Sequence, residues 1–122
     1  RGFLAEGGRD CTPEIRARPW VGFGRDFSRA VGARGWIGMT WPAAYGGGEK
    51  SGLERIVVLE EMLAAGAPVG AHWIGDRQSG PLLLNFGTEE QRQLILPKVA
   101  KGECFLWRIG FLYWPLRAGG WE

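Results

Sequence analysis

Apolar residues recur through the middle of the chain at α-helical spacing, and the breaks between these runs fall on glycine and proline. Phe23, Phe27, Ala30 and Val31 share one face, with Arg25, Asp26 and Arg29 directed outward. This predicts a short helix ended by Gly32 or Gly35. Trp36 to Pro42 is too short and too closely bounded by glycine and proline for another helix, and with Ala43 to Gly48 it reads as an irregular apolar connector. Ser51-Gly52-Leu53-Glu54 is a capping box, in which the Ser51 hydroxyl accepts an orphan backbone N–H and Glu54 reaches back to the cap. A helix from about Leu53 to Ala65 should come next, stopped by Gly66 and Pro68. Its apolar positions, Leu53, Ile56, Val57, Val58, Leu59, Met62 and Leu63, cover more than one stripe. It is therefore expected at the buried centre of the unit, where Asp in place of Val57 would cost about 3 kcal/mol or more. Ser79-Gly80-Pro81 and Gly87 bracket a short helix over Pro81 to Phe86. Thr88-Glu89-Glu90-Gln91, a second capping box, opens a helix through Leu94, Ile95 and Leu96 that Pro97 should kink or end, with Gly102 closing the segment.

This pattern divides the chain into three stretches. Residues 1–21 are an irregular lead-in rich in glycine, arginine and proline, and residues 22–103 form an all-α unit. Residues 104–122 change character, because six of the fifteen aromatic residues sit there and no acid appears before Glu122. Phe105, Trp107, Ile109, Phe111 and Tyr113 alternate with period two, the signature of a short C-terminal strand. In a helical unit such a strand has no evident partner.

Composition narrows the function classes. Hydrophobic residues at 45% and charged residues at 23% are those of an ordinary globular chain, which sets disorder aside. Glycine is in excess, 21 of 122 residues, and implies many turns and helix stops. A net charge of +2 is too small for the footprint of a nucleic-acid partner. Cys11 and Cys104 have no CxxC spacing and His72 is the single histidine, so a structural zinc site lacks material and a reducing, cytoplasmic setting is expected. No basic, apolar, small-residue leader opens the sequence and no run of about 18 apolar residues occurs, so neither secretion nor a membrane span is expected. The first residue is Arg1 rather than Met, which points to a fragment.

Candidate chemistry is sparse. Glu60 and Glu61 are adjacent on a helix and diverge by about 100°, so they cannot act as a carboxylate dyad. One is expected in solvent and the other beside an arginine. His72 has no Ser, Cys or Asp at a motif distance and reads as structural or surface. Cys104 has no activating base nearby. Gly46-Gly47-Gly48 lacks the order of a phosphate cradle and reads as a flexible loop, while Trp36, Trp41 and Trp73 read as packing residues.

Certain strings do carry a resemblance. Gly35-Trp36-Ile37-Gly38, Trp41-Pro42, Tyr45-Gly46-Gly47, Glu60-Glu61, Phe86-Gly87-Thr88-Glu89-Glu90-Gln91, Leu96-Pro97 and Lys101-Gly102-Glu103 occur in that order. Together they resemble the N-terminal helical domain of the acyl-CoA dehydrogenases. The resemblance implies an FAD-dependent oxidoreductase of fatty acid metabolism that removes hydrogens from Cα and Cβ of an acyl-CoA thioester. It further implies electron-transferring flavoprotein as acceptor and a homo-oligomeric assembly. The family's catalytic base lies in a C-terminal domain, so no catalytic residue is assigned here.

After Glu103 the resemblance fails. The family continues with a strand into Ser/Thr-Glu-Pro and Gly-Ser-Asp, whereas Ile109-Gly110-Phe111-Leu112-Tyr113-Trp114-Pro115 places Leu112, which has no donor, where a hydroxyl belongs. A frame change or truncated gene would produce such a tail. Gly110 and Phe111 alone carry over as cofactor-binding positions. The expected function is thus a fragment of an acyl-CoA dehydrogenase, inactive alone and not retaining FAD. The alternative is a non-catalytic helical interaction module whose tail and loop tryptophans cover a partner's apolar patch. A membrane-surface peptide over residues 105–116 fits less well, since its pattern is strand-like.

The tail generates a solubility prediction. Phe105, Leu106, Trp107, Phe111, Leu112 and Trp114 have few charged gatekeepers, and left exposed they form an edge that pairs with copies of itself. Light scattering at matched concentration should show the full chain associating and a chain ending at Glu103 monodisperse. The reverse result would mean that the tail packs on the helices.

Overall fold

The computed structural model describes residues 24–105, the isolated positions Gly2, Pro13 and Ala17, and the pair Trp114–Pro115. Within residues 24–105, five α-helices succeed one another: α1 (Arg25–Ala33), α2 (Gly52–Ala64), α3 (Gly70–Ile74), α4 (Gly80–Phe86) and α5 (Glu89–Ala100). A 3₁₀ turn, Ala43–Tyr45, lies in the connector, and one π-helical turn, Gly75–Ser79, joins α3 to α4. Two-residue strands β1 (Cys104–Phe105) and β2 (Trp114–Pro115) pair antiparallel, Cys104 opposite Pro115 and Phe105 opposite Trp114. The tail thus supplies its own strand partner, which period-two reading of a single run does not reveal. Residues 106–113, including most of the alternating run, lie outside the described residues.

Local chemistry accounts for most helix ends. Ser51 and Thr88 accept the N–H of Glu54 and Gln91, and the side chains of those residues accept the cap N–H in return, so both capping boxes form. Three helices end in one motif. The N–H groups of Gly35 and Trp36 donate to the carbonyls of Gly32 and Val31, those of Gly66 and Ala67 to Leu63 and Met62, and those of Gly102 and Glu103 to Val99 and Lys98. Each closing glycine has φ between 66° and 69°, the left-handed value a side chain disfavours.

The core is formed by Val31, Ile37, Trp41, Met62, Ala67, Val69, Leu83, Leu96, Val99, Ala100 and Cys104. Trp41 is 1% exposed and holds the connector against the helices. Its ring lies where a Cβ on Gly80 would stand, and its backbone lies where a Cβ on Gly47 would stand. Gly47 is therefore there for a close approach, not for loop freedom as expected from the sequence. The Trp41 indole N–H is buried without a partner among the described residues.

Several expectations are corrected. Helix α2 is not at the buried centre: Leu53, Ile56 and Val57 are 75%, 44% and 59% exposed and only Met62 is fully buried. The broad apolar surface of its sequence therefore includes one face that no described residue covers. Pro97 neither ends nor visibly stops α5, which runs on to Ala100. Its Cα would lie 3.3 Å from a Cβ at Gly46, and its neighbours Leu96, Val99 and Ala100 are buried, so tertiary packing outweighs the lost backbone bond. Residues 70–79 are helical although no periodicity signals it, because Gly70, Gly75 and Gly80 interrupt the pattern.

One polar pair sits inside this core. Ser28 is fully buried and its hydroxyl donates to the Gly24 carbonyl at 2.7 Å. Ser28 Oγ therefore accepts from His72 Nε2 at 2.8 Å, which leaves His72 Nδ1 a bare acceptor with no partner among the described residues. Burial pulls the His72 pKa down from 6.5 to about 4.

A pair of variants and a pH series test this packing. Val57→Asp should cost less than about 1 kcal/mol, whereas Leu96→Ala, at a site with no exposure, should cost about 2–5 kcal/mol. Chemical denaturation of the two variants separates a peripheral α2 from a central one. Because the folded His72 pKa of about 4 lies below the unfolded 6.5, its contribution is complete above pH 6.5 and is lost as pH falls toward 4. Unfolding free energy should drop by on the order of 3 kcal/mol across that window. His72→Asn, which keeps a donor for Ser28, should flatten the dependence; an unchanged slope would show that His72 is not its source.

Candidate functional site

The described residues contain a narrow cleft where α1, α2, α3 and the π-turn meet. Val31, Trp36, Val58, Leu59, Met62 and Val69 form its apolar wall, and Arg55, His72, Trp73, Asp76 and Arg77 complete it. Its volume is about 30 Å³, room for one or two waters. Helix α2 contributes Arg55, Val58, Leu59 and Met62 through i, i+3, i+4 and i+7 spacing, and the π-turn places Asp76 and Arg77 opposite them.

Asp76 is the hub. One carboxylate oxygen accepts the Gly38 N–H at 2.9 Å, and the other lies 4.0 Å from Arg55 Nη1. Burial raises the Asp76 pKa, and this outweighs the lowering by the Gly38 bond, Arg55 and Arg77. A raised carboxyl favours the folded state more when protonated, so this group opposes His72: its contribution is greatest in acid and declines as pH rises. Arg77 stacks over the Trp73 ring at 4.2 Å, and Arg34 lies over Trp36 at 5.5 Å. The connector, α2 and the π-turn are thereby joined by one carboxylate.

This arrangement can fix elements relative to one another and hold a water or two. It cannot enclose a cofactor, since a ligand pocket for an organic molecule occupies roughly 300–1,000 Å³. His72 Nδ1 has no exposed surface, so a molecule in the cleft would not reach it. Among the described residues, no three His, Cys, Asp or Glu side chains gather to hold a metal. No helix there is long and apolar enough to cross a membrane.

The residues singled out from sequence are scattered. Glu60 is exposed and Glu61 half-buried on adjacent positions of α2. His72 is structural, as expected. Cys104 is 2% exposed, and burial pushes its thiol pKa up, with Lys98 opposing. Trp41 is a core residue, and Trp36 and Trp73 are half-buried walls of the cleft. Gly46 to Gly48 serve packing and a turn. Gly110 and Phe111 lie outside the described residues. Sequence reasoning missed Arg55, Asp76 and Arg77, and no short-range signal could have found them. Asp76 meets Gly38 across 38 positions of chain.

The family relationship rests on comparison. The acyl-CoA dehydrogenase N-terminal domain profile matches residues 1–103. Acyl-CoA dehydrogenase FadE26 of Mycobacterium tuberculosis is 33% identical over 63 residues, covering 52% of this chain and 15% of that protein. The solved Tcur3481-Tcur3483 steroid ACAD superposes with a TM-score of 0.67 at 31% identity, over 86% of this chain and 28% of that one. The ChsE4-ChsE5 complex from Mycobacterium tuberculosis gives 0.63 at 31% identity, over 84% and 26%. This chain spans less than a third of each of these relatives. With the profile running from residue 1 to residue 103 and the helices superposing on both solved structures, the chain belongs to the acyl-CoA dehydrogenase family, as its N-terminal helical domain.

Proposed function

We propose that this chain is a fragment of an FAD-dependent acyl-CoA dehydrogenase, and that it is inactive by itself. What supports the second half is the size of the cleft between α1, α2, α3 and the π-turn, about 30 Å³, which admits water but neither a flavin nor an acyl-CoA. In this reading the helices are scaffold. They would set one wall against which the rest of a family protein aligns its substrate, and proximity and orientation are the contribution such a wall makes. When bound, the flavin would supply hydride acceptance during α,β-dehydrogenation of an acyl-CoA thioester.

The finer elements of the proposal come from family membership. The substrate class is an acyl-CoA, and the steroid ACAD among the relatives makes a bulky acyl group as reasonable as a straight chain. Electron-transferring flavoprotein is the proposed acceptor, fatty acid metabolism the setting and the cytoplasm the location. An assembly with further acyl-CoA dehydrogenase chains is proposed by analogy with the ChsE4-ChsE5 complex. Residues 1–21 are taken as lead-in, 22–103 as the domain and 104–122 as the aberrant tail, within which Gly110 and Phe111 are the flavin-proximal positions.

A non-catalytic interaction module is the second reading, favoured by the exposed Leu53, Ile56 and Val57 on α2.

Two measurements test the proposal. The purified chain should carry no visible flavin band and should not quench added FAD fluorescence; near-stoichiometric FAD would overturn the claim of inactivity. Residues 24–103 exchanged for the N-terminal domain of an intact acyl-CoA dehydrogenase should leave a flavoprotein that still reduces a dye acceptor with acyl-CoA. A graft with native circular dichroism and bound flavin but no turnover would favour the interaction module.

A further inference from the structure

We draw no further inference here: the strongest candidate, the exposed apolar stripe of Leu53, Ile56 and Val57 on α2, carries nothing because nothing in the structure shows what covers it.

Discussion

The seat of Trp41 is the constraint on which the rest of the domain depends. The ring is the largest fully buried side chain among the described residues and comes from the connector between α1 and α2, not from a helix. A Cβ at Gly80 would collide with the ring, a Cβ at Gly38 would stand 2.6 Å from Cε3, and one at Gly47 would meet the Trp41 backbone. The connector therefore reaches the helices only because these positions lack side chains. Burying an indole contributes several kcal/mol of apolar transfer, roughly 25 cal/mol per Å². That gain outweighs the cost of its unpartnered N–H, on the order of 1–3 kcal/mol.

Once the connector is held, its polar groups fall into register. The Gly38 N–H meets Asp76, and Asp76 in turn faces Arg55. The π-turn carries Asp76 and leads directly into Gly80, so it meets the connector twice, at Gly38 and at the Trp41 ring. In the same region, Ser28 and His72 tie α1 to α3 through one hydrogen bond directed by the Gly24 carbonyl. The two titratable groups have opposite signs of pH linkage: acid removes the contribution of His72 and favours that of Asp76.

The same economy runs through the other buried polar groups of the described residues. The domain's buried polar residues are each committed to holding one element to another. The exposed apolar surface lies instead on α2, at Leu53, Ile56 and Val57. The cleft between α1, α2, α3 and the π-turn has a volume of about 30 Å³, and the chain covers less than a third of its solved relatives.

The starts of α2 and α5 and the ends of α1, α2 and α5 were legible in the amino-acid sequence because their causes are local. A hydroxyl three residues before a Glu or Gln made both capping boxes, and glycine at the position after the cap closed three helices. The family was legible too, in strings such as Gly87-Thr88-Glu89-Glu90-Gln91, because these are the same local signals in a fixed order. Tertiary structure decided the rest. Whether α2 is central depends on what stands beside Leu53 and Val57, and periodicity measures a helix's apolar width without saying how much of it finds a neighbour. Whether Pro97 ends a helix depends on the packing of Leu96 and Val99, which offsets a missing N–H. Helix formation across Gly70, Gly75 and Gly80 is opposed by local propensity, and the packing that accompanies it is remote in sequence: the Trp41 ring lies against Gly80 and the Val99 side chain against Gly75. The Asp76 cluster joins residues as much as 38 positions apart along the chain, drawn from the connector, α2 and the π-turn, and only folding brings its charges to one place.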